Sequence, residues 1–212
     1  MVILDDGFQH LKLERNLNIV LFDAELPLSR YKVAPSGYLR EGLDALKDAH
    51  IVIISRADQV DESSLDNLEK FLHKFCDKEI PFYRICYKAK GLFDQIDQLT
   101  YSVDQMKGQK VVAACGLASP ESFFRTLQKL DVQICHKFKF PDHHSFSEEQ
   151  IQDICQKADE IDAIVVMSEK DIVKLAKSNL TNKIYYLGIE IQFLKNEDSF
   201  KEKINNIVKL IK

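Results

Sequence analysis

The sequence has no long apolar run, no Cys-x-x-Cys pair and no basic leader, and each absence argues against a class of protein. No run approaches the roughly 18 to 20 apolar residues of a transmembrane helix. No basic segment precedes a long apolar stretch, so a signal peptide is not expected. The five cysteines are odd in number and widely spaced, which favours reduced thiols in a cytosolic protein over a disulfide framework.

Glycine and net positive charge are also scarce. The seven glycines are scattered, and none belongs to a Gly-x-x-x-x-Gly-Lys-Ser/Thr segment, the loop whose backbone amides hold nucleotide phosphates. The formal net charge of -4 argues against general nucleic-acid binding, which normally needs a basic surface. With 45% hydrophobic and 29% charged residues, the 212-residue chain is expected to form one sizeable core or two small ones.

Short apolar runs alternate with helical patterns along the chain, and this alternation predicts an α/β fold with a largely parallel sheet. The runs at 17–23 and 50–55 are almost continuously apolar, as in strands that are covered on both faces. Further strands are predicted at 2–4, 82–86, 110–116, 132–140, 163–167 and 183–193, and helices at 40–49, 61–75, 119–130, 145–158, 170–177 and 199–211. Either Ser145 or Ser147 can cap the helix at 145–158.

The most informative motif is the segment 2–10, Val-Ile-Leu-Asp-Asp-Gly-Phe-Gln-His, in which an apolar run stops at two carboxylates. A buried strand that ends in acids is a common way to hold Mg²⁺ beside nucleotide phosphates. Successive strand residues point to opposite faces, so Asp5 and Asp6 act together only where the chain turns, as Gly7 permits. The alternative is a pair of solvated acids, but His10 in the same turn favours a site.

A second motif places Arg40 and Glu41 after a Gly-containing loop at 36–38. An arginine can bind phosphate as a fixed fork, and a glutamate can supply a hard oxygen to a metal. An ordinary helix N-terminus explains Glu41 equally well. A weaker signal is the segment 55–58, Ser-Arg-Ala-Asp, which follows a buried strand as base-recognition loops do in some nucleotide-binding proteins.

Two more motifs lie in the second half of the chain. Asp142 precedes His143 and His144, and an Asp beside a His can orient the imidazole for proton transfer or metal binding. Zinc is not expected, because no Cys or third His lies at ligand spacing. Charged residues at 168–171, Ser-Glu-Lys-Asp, stand where a strand ends and a helix begins, the edge at which open α/β sheets bind ligands. Surface histidines and solvated charges are the respective alternatives.

Taken in order, these motifs resemble the tetraacyldisaccharide 4'-kinase family of lipid A biosynthesis. The series is Asp-Asp-Gly-Phe-Gln-His at 5–10, Leu-Arg-Glu at 39–41, Cys-Gly-Leu-Ala-Ser-Pro-Glu-Ser-Phe-Phe at 115–124, Asp-His-His at 142–144 and Ser-Glu-Lys-Asp-Ile-Val-Lys at 168–174. The resemblance implies a P-loop kinase that uses ATP and Mg²⁺. Its substrate would be a tetraacylated glucosamine disaccharide 1-phosphate, phosphorylated at the 4'-hydroxyl, with the enzyme peripherally bound at the cytoplasmic face of the bacterial inner membrane.

The resemblance also implies residue roles. It assigns Mg²⁺ binding to Asp5 and Asp6, contacts with ATP to Asp6, Arg40 and His10, and catalysis to Glu41, Asp142 and His143. His143 would assist the base that deprotonates the sugar hydroxyl. The segment 168–171 matches the family's Thr-Glu-Lys-Asp motif, with Ser168 in place of Thr, and its role would be structural or close to the nucleotide.

Three family elements that precede the Asp-Asp motif have no counterpart: the phosphate-binding loop, an upstream catalytic Asp and an N-terminal membrane-associating helix. The chain is therefore expected to be the C-terminal portion of such a kinase, with 1–87 as part of the P-loop core, 88–109 as a linker and 110–212 as a second α/β lobe. Alone it is expected to be inactive or nearly so, and a separately encoded N-terminal half would be a partner. Uncovered strand edges and apolar faces also predict self-association.

Two other interpretations remain open. The chain could be a non-catalytic remnant that serves as a nucleotide- or metal-binding module. It could instead be a metal hydrolase built on Asp5, Asp6, His10 and His143, since Asp and His clusters also suit hydrolysis.

Overall fold

The computed structural model describes residues 2–10, 12–76, 79–175 and 184–210. The chain divides into two compact units, Met1–Tyr87 with Ile191–Lys212, and Lys88–Glu190. Each unit combines mostly parallel strands with flanking helices, which confirms the α/β class predicted from the sequence. No helix within the described ranges is both long enough and apolar enough to cross a membrane.

Eight strands and five α-helices make up the described chain. In chain order they are β1 (Ile19–Asp23), β2 (Ile51–Ser55), α1 (Glu62–His73), β3 (Phe82–Phe93), β4 (Leu99–Ser102), β5 (Lys110–Cys115), α2 (Pro120–Gln128), β6 (Gln133–Lys139), α3 (Glu148–Glu160), β7 (Ile164–Ser168), α4 (Glu169–Ile172), β8 (Ile184–Phe193) and α5 (Glu197–Leu210). The unit boundaries fall within β3 and β8.

The first unit contains a parallel sheet of β1, β2 and the first part of β3. Ile19 lies opposite Ile51, and Asp23 lies opposite Ser55, so β1 and β2 end at the same edge. β2 pairs in parallel with β3 on its other side. All five residues of β2 are buried, as its continuous apolar run predicts.

Alternate side chains of this sheet enter two apolar clusters. On one face, residues of all three strands and of α1 pack together, including Phe22, Val52, Ile54, Leu65, Leu68 and Leu72. On the other face, strand residues pack against the end of β8 and against α5, and this cluster includes Ile51, Ile53, Tyr83, Ile85, Phe193, Phe200 and Ile204. β1 is less well covered, and the side chain of Leu21 is 58% exposed.

The second unit is built around β5. β5 pairs in parallel with β6 on one side and with β7 on the other, and β8 continues the parallel sheet beyond β7. Alternate β5 residues face opposite helices: Val111 and Ala113 share a cluster with α2, while Val112 and Ala114 share one with α3. Since parallel neighbours end at the same edge, the loops after β5, β6 and β7 converge there.

Three sequence expectations, about the start, the middle and the end of the chain, were wrong. Val2 to Leu4 do not form a strand; no described strand lies beside them, and Val2 and Ile3 are 85% and 82% exposed. Segment 88–109 is not a linker, because β3 extends to Phe93 and then turns back to pair with antiparallel β4. Its polar composition reflects a partly exposed hairpin. Residues 191–212 lie in the first unit, although they were assigned by sequence to the second lobe.

Several predicted elements have different bounds in the structure. The helix expected at 40–49 is a 3₁₀ helix at Leu43–Asp48. The helix expected at 170–177 is described only at Glu169–Ile172, with residues 176 and 177 outside the described ranges. Residues 183 and 211, expected at the ends of the last strand and the last helix, also lie outside them.

Candidate active site

In the first unit, the side chain of Arg40 reaches the carboxylate of Asp6. The guanidinium Nη1 donates to Asp6 Oδ2, and both side chains are largely exposed, at 68% and 59%. Asp6 adopts a left-handed conformation, with φ of 52°, which aspartate tolerates better than most residues. Two residues predicted from separate motifs thus lie together.

A tight loop before Arg40 sets the position of that side chain. Within it, Tyr38 N donates to Arg30 O at 3.1 Å and Leu39 N donates to Lys32 O at 3.0 Å. Gly37 lies inside this loop, where an added Cβ would approach the carbonyl oxygens of Arg30 and Lys32 at 2.4 and 2.3 Å. A glycine is therefore required for the loop to close, and the closed loop delivers Arg40 at its end.

The remaining predicted residues of this unit flank the Asp6–Arg40 pair along the chain. Asp5 is exposed, and Glu41, the residue after Arg40, is half-buried. His10 is exposed, and its backbone N donates to Gly7 O at 3.1 Å in a turn. Within the ranges that the structure describes, no hydrogen bond or ion pair joins the His10 side chain to Asp6. The structure thus brings together only Asp6 and Arg40 of the predicted nucleotide contacts.

Arg15 holds the turn that follows the acid pair. Its Nη1 donates to Gly7 O at 2.9 Å and also to Phe8 O, and its guanidinium lies 5.6 Å from the centre of the Phe8 ring. Sequence reasoning missed Arg15, because one arginine after a turn carries no pattern of its own.

A second charged cluster forms where β1 and β2 end. Arg56 Nη1 lies 2.5 Å from Asp23 Oδ2 and 3.7 Å from Glu25 Oε2. The Tyr31 hydroxyl donates to Asp23 O at 2.6 Å, and burial, with the Asp23 charge as a second cause, raises the pKa of that hydroxyl. Two carboxylates already neutralise the charge of Arg56. The cluster therefore suits a structural link between the ends of β1 and β2 better than a phosphate-binding site. The sequence signal for Asp23 was its place as the last residue of a predicted strand.

In the second unit, Asp142 and His143 lie together after β6. Asp142 Oδ1 accepts the backbone N–H of His143 at 3.0 Å, and Asp142 Oδ2 lies 3.8 Å from His143 Nε2. The His143 side chain is 87% exposed. Its φ of 59° turns the chain back, and His144 N closes the turn onto Pro141 O at 3.2 Å. An exposed imidazole beside a carboxylate can accept a proton from a bound hydroxyl.

His144 plays a different part from its neighbour. Its ring stacks on Phe140 with centroids 4.7 Å apart, and its Nε2 lies 2.9 Å from Gln150 Oε1. Gln150 belongs to the first turn of α3, where its side chain completes a capping box with Ser147. The His144 ring is therefore engaged by Phe140 and Gln150. Of the two adjacent histidines, His143 is the one whose side chain faces solvent.

The predicted segment 168–171 contains a fully buried carboxylate, Asp171. Its relative exposure is 0%, and it accepts hydrogen bonds from Gly116 N, Ser168 Oγ and Lys174 Nζ at 2.8, 2.5 and 2.9 Å. Glu169 and Lys170 are exposed. Of the three charged residues in this motif, only Asp171 is thus held inside the protein.

No group of three or more His, Cys, Asp and Glu residues in the described parts of the chain is arranged to hold a metal ion. A site completed by a nucleotide is different, since Mg²⁺ commonly takes one or two carboxylates and fills its other positions with phosphate oxygens and water.

Comparison with known families shows which family the chain belongs to. A family model described as LpxK, tetraacyldisaccharide-1-P 4'-kinase, matches residues 1–209. The chain belongs to the tetraacyldisaccharide 4'-kinase family. The family resemblance drawn from the motifs is confirmed.

Curated members of the tetraacyldisaccharide 4'-kinase family align with almost the whole chain. The tetraacyldisaccharide 4'-kinase of Halothermothrix orenii is 31% identical over 97% of this chain and 57% of its own length. That of Anaeromyxobacter sp. is 30% identical over 96% of this chain and 55% of its own length. The chain thus spans a little over half the length of the curated relatives it matches.

A solved structure supports the fold. The chain is similar to LpxK from Aquifex aeolicus, crystallised in complex with ATP, with a TM-score of 0.66 and 22% identity over 95% of this chain and 55% of that one. At this level of identity the likeness concerns the fold, and it agrees with the kinase-like α/β architecture that the motifs imply.

Proposed function

We propose that this chain forms part of a lipid A 4'-kinase, which transfers the γ-phosphate of ATP to the 4'-hydroxyl of a tetraacylated glucosamine disaccharide 1-phosphate. The observation that carries the proposal is the match of the kinase family model to residues 1–209. The Asp6–Arg40 pair and the Asp142–His143 pair support it, since each joins residues that the family pattern assigns to nucleotide binding or to catalysis.

Asp142 and His143 are proposed to handle the proton of the sugar hydroxyl. The exposed His143 ring can accept that proton or assist the group that does, and Asp142, 3.8 Å from Nε2, stabilises the resulting imidazolium. The hydrogen bond from His144 N to Pro141 O closes the turn that sets the position of the His143 backbone.

Arg40, Asp5 and Asp6 are proposed to serve the phosphates of ATP. The Arg40 guanidinium can bind two phosphate oxygens as a fork. Asp5 and Asp6 supply hard carboxylate oxygens, a donor set that fits Mg²⁺, and both are exposed. When bound, Mg²⁺ supplies positive charge that offsets the charge of the phosphates. Glu41, beside Arg40, is a further acid for this region.

The phosphate-holding loop is proposed to come from another polypeptide segment. The printed sequence contains no Gly-Lys-Ser/Thr loop, whereas the aligned relatives carry more than two-fifths of their length outside the aligned region. Backbone amides and a lysine aimed at the phosphates supply much of the transition-state stabilisation, and loss of a single such donor costs about 3 to 4 kcal/mol. Residues 1–212 by themselves are therefore expected to have little or no kinase activity.

A reconstitution assay tests this function. The purified chain is incubated with γ-labelled ATP, Mg²⁺ and the disaccharide 1-phosphate, alone and mixed with the segment of the Halothermothrix orenii relative that lies outside the match. Label is expected on the disaccharide only in the mixture, and His143→Ala in the chain should abolish it. Transfer by the chain alone would contradict the need for a second segment. An inactive mixture whose two parts bind each other would contradict the kinase function.

A nucleotide-binding module without catalysis is the second candidate, favoured by the missing loop motif. Titration calorimetry with Mg²⁺-ATP separates the two candidates when wild type is compared with Asp5→Ala and Asp6→Ala. A module should bind ATP in a manner that depends on these acids and should stay inactive when the missing segment is added. Binding that neither substitution changes would remove Asp5 and Asp6 from any nucleotide role.

The place of action is proposed to be the cytoplasmic face of the bacterial inner membrane, where the chain would associate peripherally. The proposal follows from the acylated substrate of the family. Flotation of the chain with vesicles that contain the disaccharide 1-phosphate tests it, and recovery of all the chain at the bottom of the gradient would contradict it.

A further inference from the structure

Asp171 is a charged side chain in the interior of the second unit, and its surroundings explain how it is kept there. Its relative exposure is 0%, so water does not solvate it. Burial of an ionised carboxylate is costly unless hydrogen bonds and an opposite charge replace the water. Three donors do so here: Gly116 N at 2.8 Å, Ser168 Oγ at 2.5 Å and Lys174 Nζ at 2.9 Å.

These donors come from separate segments that end at one edge of the sheet. Gly116 follows β5, Ser168 is the last residue of β7, and Lys174 lies just beyond α4. The carboxylate thus ties together the loops after two neighbouring strands. A residue that served only to cap α4 would not need a donor from the loop after β5.

Two contacts extend this network to the turn that carries His143. Lys174 Nζ, besides its bond to Asp171, donates to the carbonyl oxygen of His144 at 3.3 Å. Gly116 packs so closely beneath the turn that an added Cβ would lie 3.0 Å from Pro141 O, 3.1 Å from His144 Cβ and 3.3 Å from Asp171 Oδ1. Both ends of the turn therefore rest on groups that Asp171 holds.

We propose that Asp171 is a positioning residue for His143. Through Gly116 it fixes the surface under Pro141, and through Lys174 it fixes the carbonyl of His144, so the turn between them presents the His143 ring in one orientation. The catalytic meaning of that orientation rests on the proposed kinase function, whereas the ordering of the turn does not. The acid of the 168–171 motif thus acts from the interior, through the backbone, without touching the nucleotide or the sugar.

Amide hydrogen exchange in the isolated chain tests the ordering of the turn. Asp171→Asn keeps the size of the side chain but loses an acceptor and the charge. Exchange at His143 and His144, whose amides are hydrogen-bonded within the turn, is expected to accelerate at least about tenfold, while exchange in the core of β5 stays unchanged. Unchanged exchange in the turn, or equal acceleration throughout the second unit, would overturn the proposal.

Lys174 offers a second route should Asp171→Asn fail to fold, since its side chain is 28% exposed and its loss leaves Asp171 two other donors. Lys174→Met should loosen the turn and Lys174→Arg should restore it. The matched control is Lys157→Met, which removes another i,i+3 pair, Lys157–Glu160 at 3.0 Å, in the same unit. An equal effect of Lys157→Met on the turn would contradict a specific link through Lys174.

The reconstituted kinase adds the functional measurement. If Asp171 positions His143, then Asp171→Asn and Lys174→Met should lower kcat with little change in KM for ATP, and Lys174→Arg should recover kcat. An active mixture in which Lys174→Met loosens the turn but leaves kcat unchanged would contradict positioning. A wild-type mixture without activity, with the turn still loosened in the variants, would contradict the proposed function and not the ordering of the turn.

Discussion

Arg40 contacts Asp6, although the two residues lie in separate motifs, 34 positions apart in the sequence. Surface pairs of this kind contribute only about 0 to 1 kcal/mol to stability. The pair therefore adds little to the stability of the fold, and its proposed role is in binding ATP.

Substitution of Arg40 is expected to affect nucleotide use and not folding. In the reconstituted kinase, Arg40→Met should raise KM for ATP about tenfold or more, because a charge-assisted hydrogen bond contributes about 1.5 to 3 kcal/mol. Arg40→Lys keeps the charge but loses the fork, so it should give an intermediate value. Thermal unfolding of the chain should be unchanged in both variants. A KM equal to that of wild type in Arg40→Met would remove Arg40 from ATP binding.

Arg84, unlike the exposed Arg40, is a nearly buried arginine with three acidic partners. Its side chain is only 10% exposed, and three carboxylates of α1, those of Glu62, Asp66 and Glu69, lie 2.5 to 2.7 Å from its nitrogens. The hydrogen bond to Glu69 is the largest cause that raises the pKa of the guanidinium above its usual value. These bonds fasten α1 to β3, on which Arg84 lies.

Arg84→Met is expected to destabilise the chain by about 2 kcal/mol, since it leaves three neighbouring acids without their shared cation. Denaturant unfolding measures the change, and Arg40→Met is the matched control because it removes an exposed arginine from a single carboxylate in the same unit. Equal stability of the two variants would mean that the Arg84 cluster contributes no more than an ordinary surface pair.

The Arg84 cluster also shows where sequence reasoning stopped. The pattern of α1 predicted its apolar face and its start correctly, with the Asp61 side chain accepting Ser64 N at 2.9 Å. It did not reveal that the acids on the helix share one partner, because that partner lies on a strand 15 to 22 residues away. Periodicity identifies elements, whereas contacts between elements depend on packing.

In the candidate site, too, local features were predictable from the sequence, whereas contacts between distant segments were not. The Asp-His pair and the helix after it were predictable, because adjacent residues and capping signals are local. The support beneath them was not, since the link from Asp171 to Gly116 spans 55 positions. The strand expected at Val2 to Leu4 failed for a related reason: an apolar run forms a strand only where another strand lies beside it.

Ser147, and not Ser145, caps α3, and this distinction can be measured. Ser147 Oγ accepts Gln150 N at 3.2 Å, and Gln150 Oε1 accepts Ser147 N at 3.1 Å. Ser147→Ala should therefore destabilise the chain by about 1 kcal/mol in denaturant unfolding. Ser145→Ala should have little effect. Equal losses from the two substitutions would contradict the assigned cap.

Cysteine reactivity provides a test of the second core. Cys115 is fully buried, and burial, with the Asp171 charge as a second cause, raises the pKa of its thiol from 9.0 to about 12. Cys135 is exposed on β6. At pH 8 a thiol reagent followed by mass spectrometry should label Cys135 well before Cys115, because the thiolate is the reactive form. Comparable rates at the two positions would contradict the packing of β5.

The raised pKa of Cys115 also predicts how the free energy of unfolding changes at alkaline pH. Since the pKa of Cys115 is higher in the folded chain than in the unfolded chain, its contribution is fully present below pH 9.0 and is lost as the pH rises toward about 12. Cys115→Ser should reduce the loss of stability over this range. Denaturant unfolding at pH 8 and pH 10 makes the comparison, and identical slopes for wild type and variant would contradict the raised pKa.

The uncovered part of the first unit predicts self-association. Leu21 on β1 is 58% exposed, and a groove of about 1430 Å³ beside it is lined mainly by apolar side chains of segment 2–8, β1 and α5. Since contiguous apolar surface of this kind favours association, the isolated chain should form oligomers at tens of micromolar, and Leu21→Lys should shift it toward monomer.

Ile96→Lys is the control, because Ile96 is 73% exposed in the other unit. Sedimentation velocity measures the distribution. A monodisperse wild-type monomer, or an equal shift from both substitutions, would mean that the β1 face is not the surface through which the chain associates.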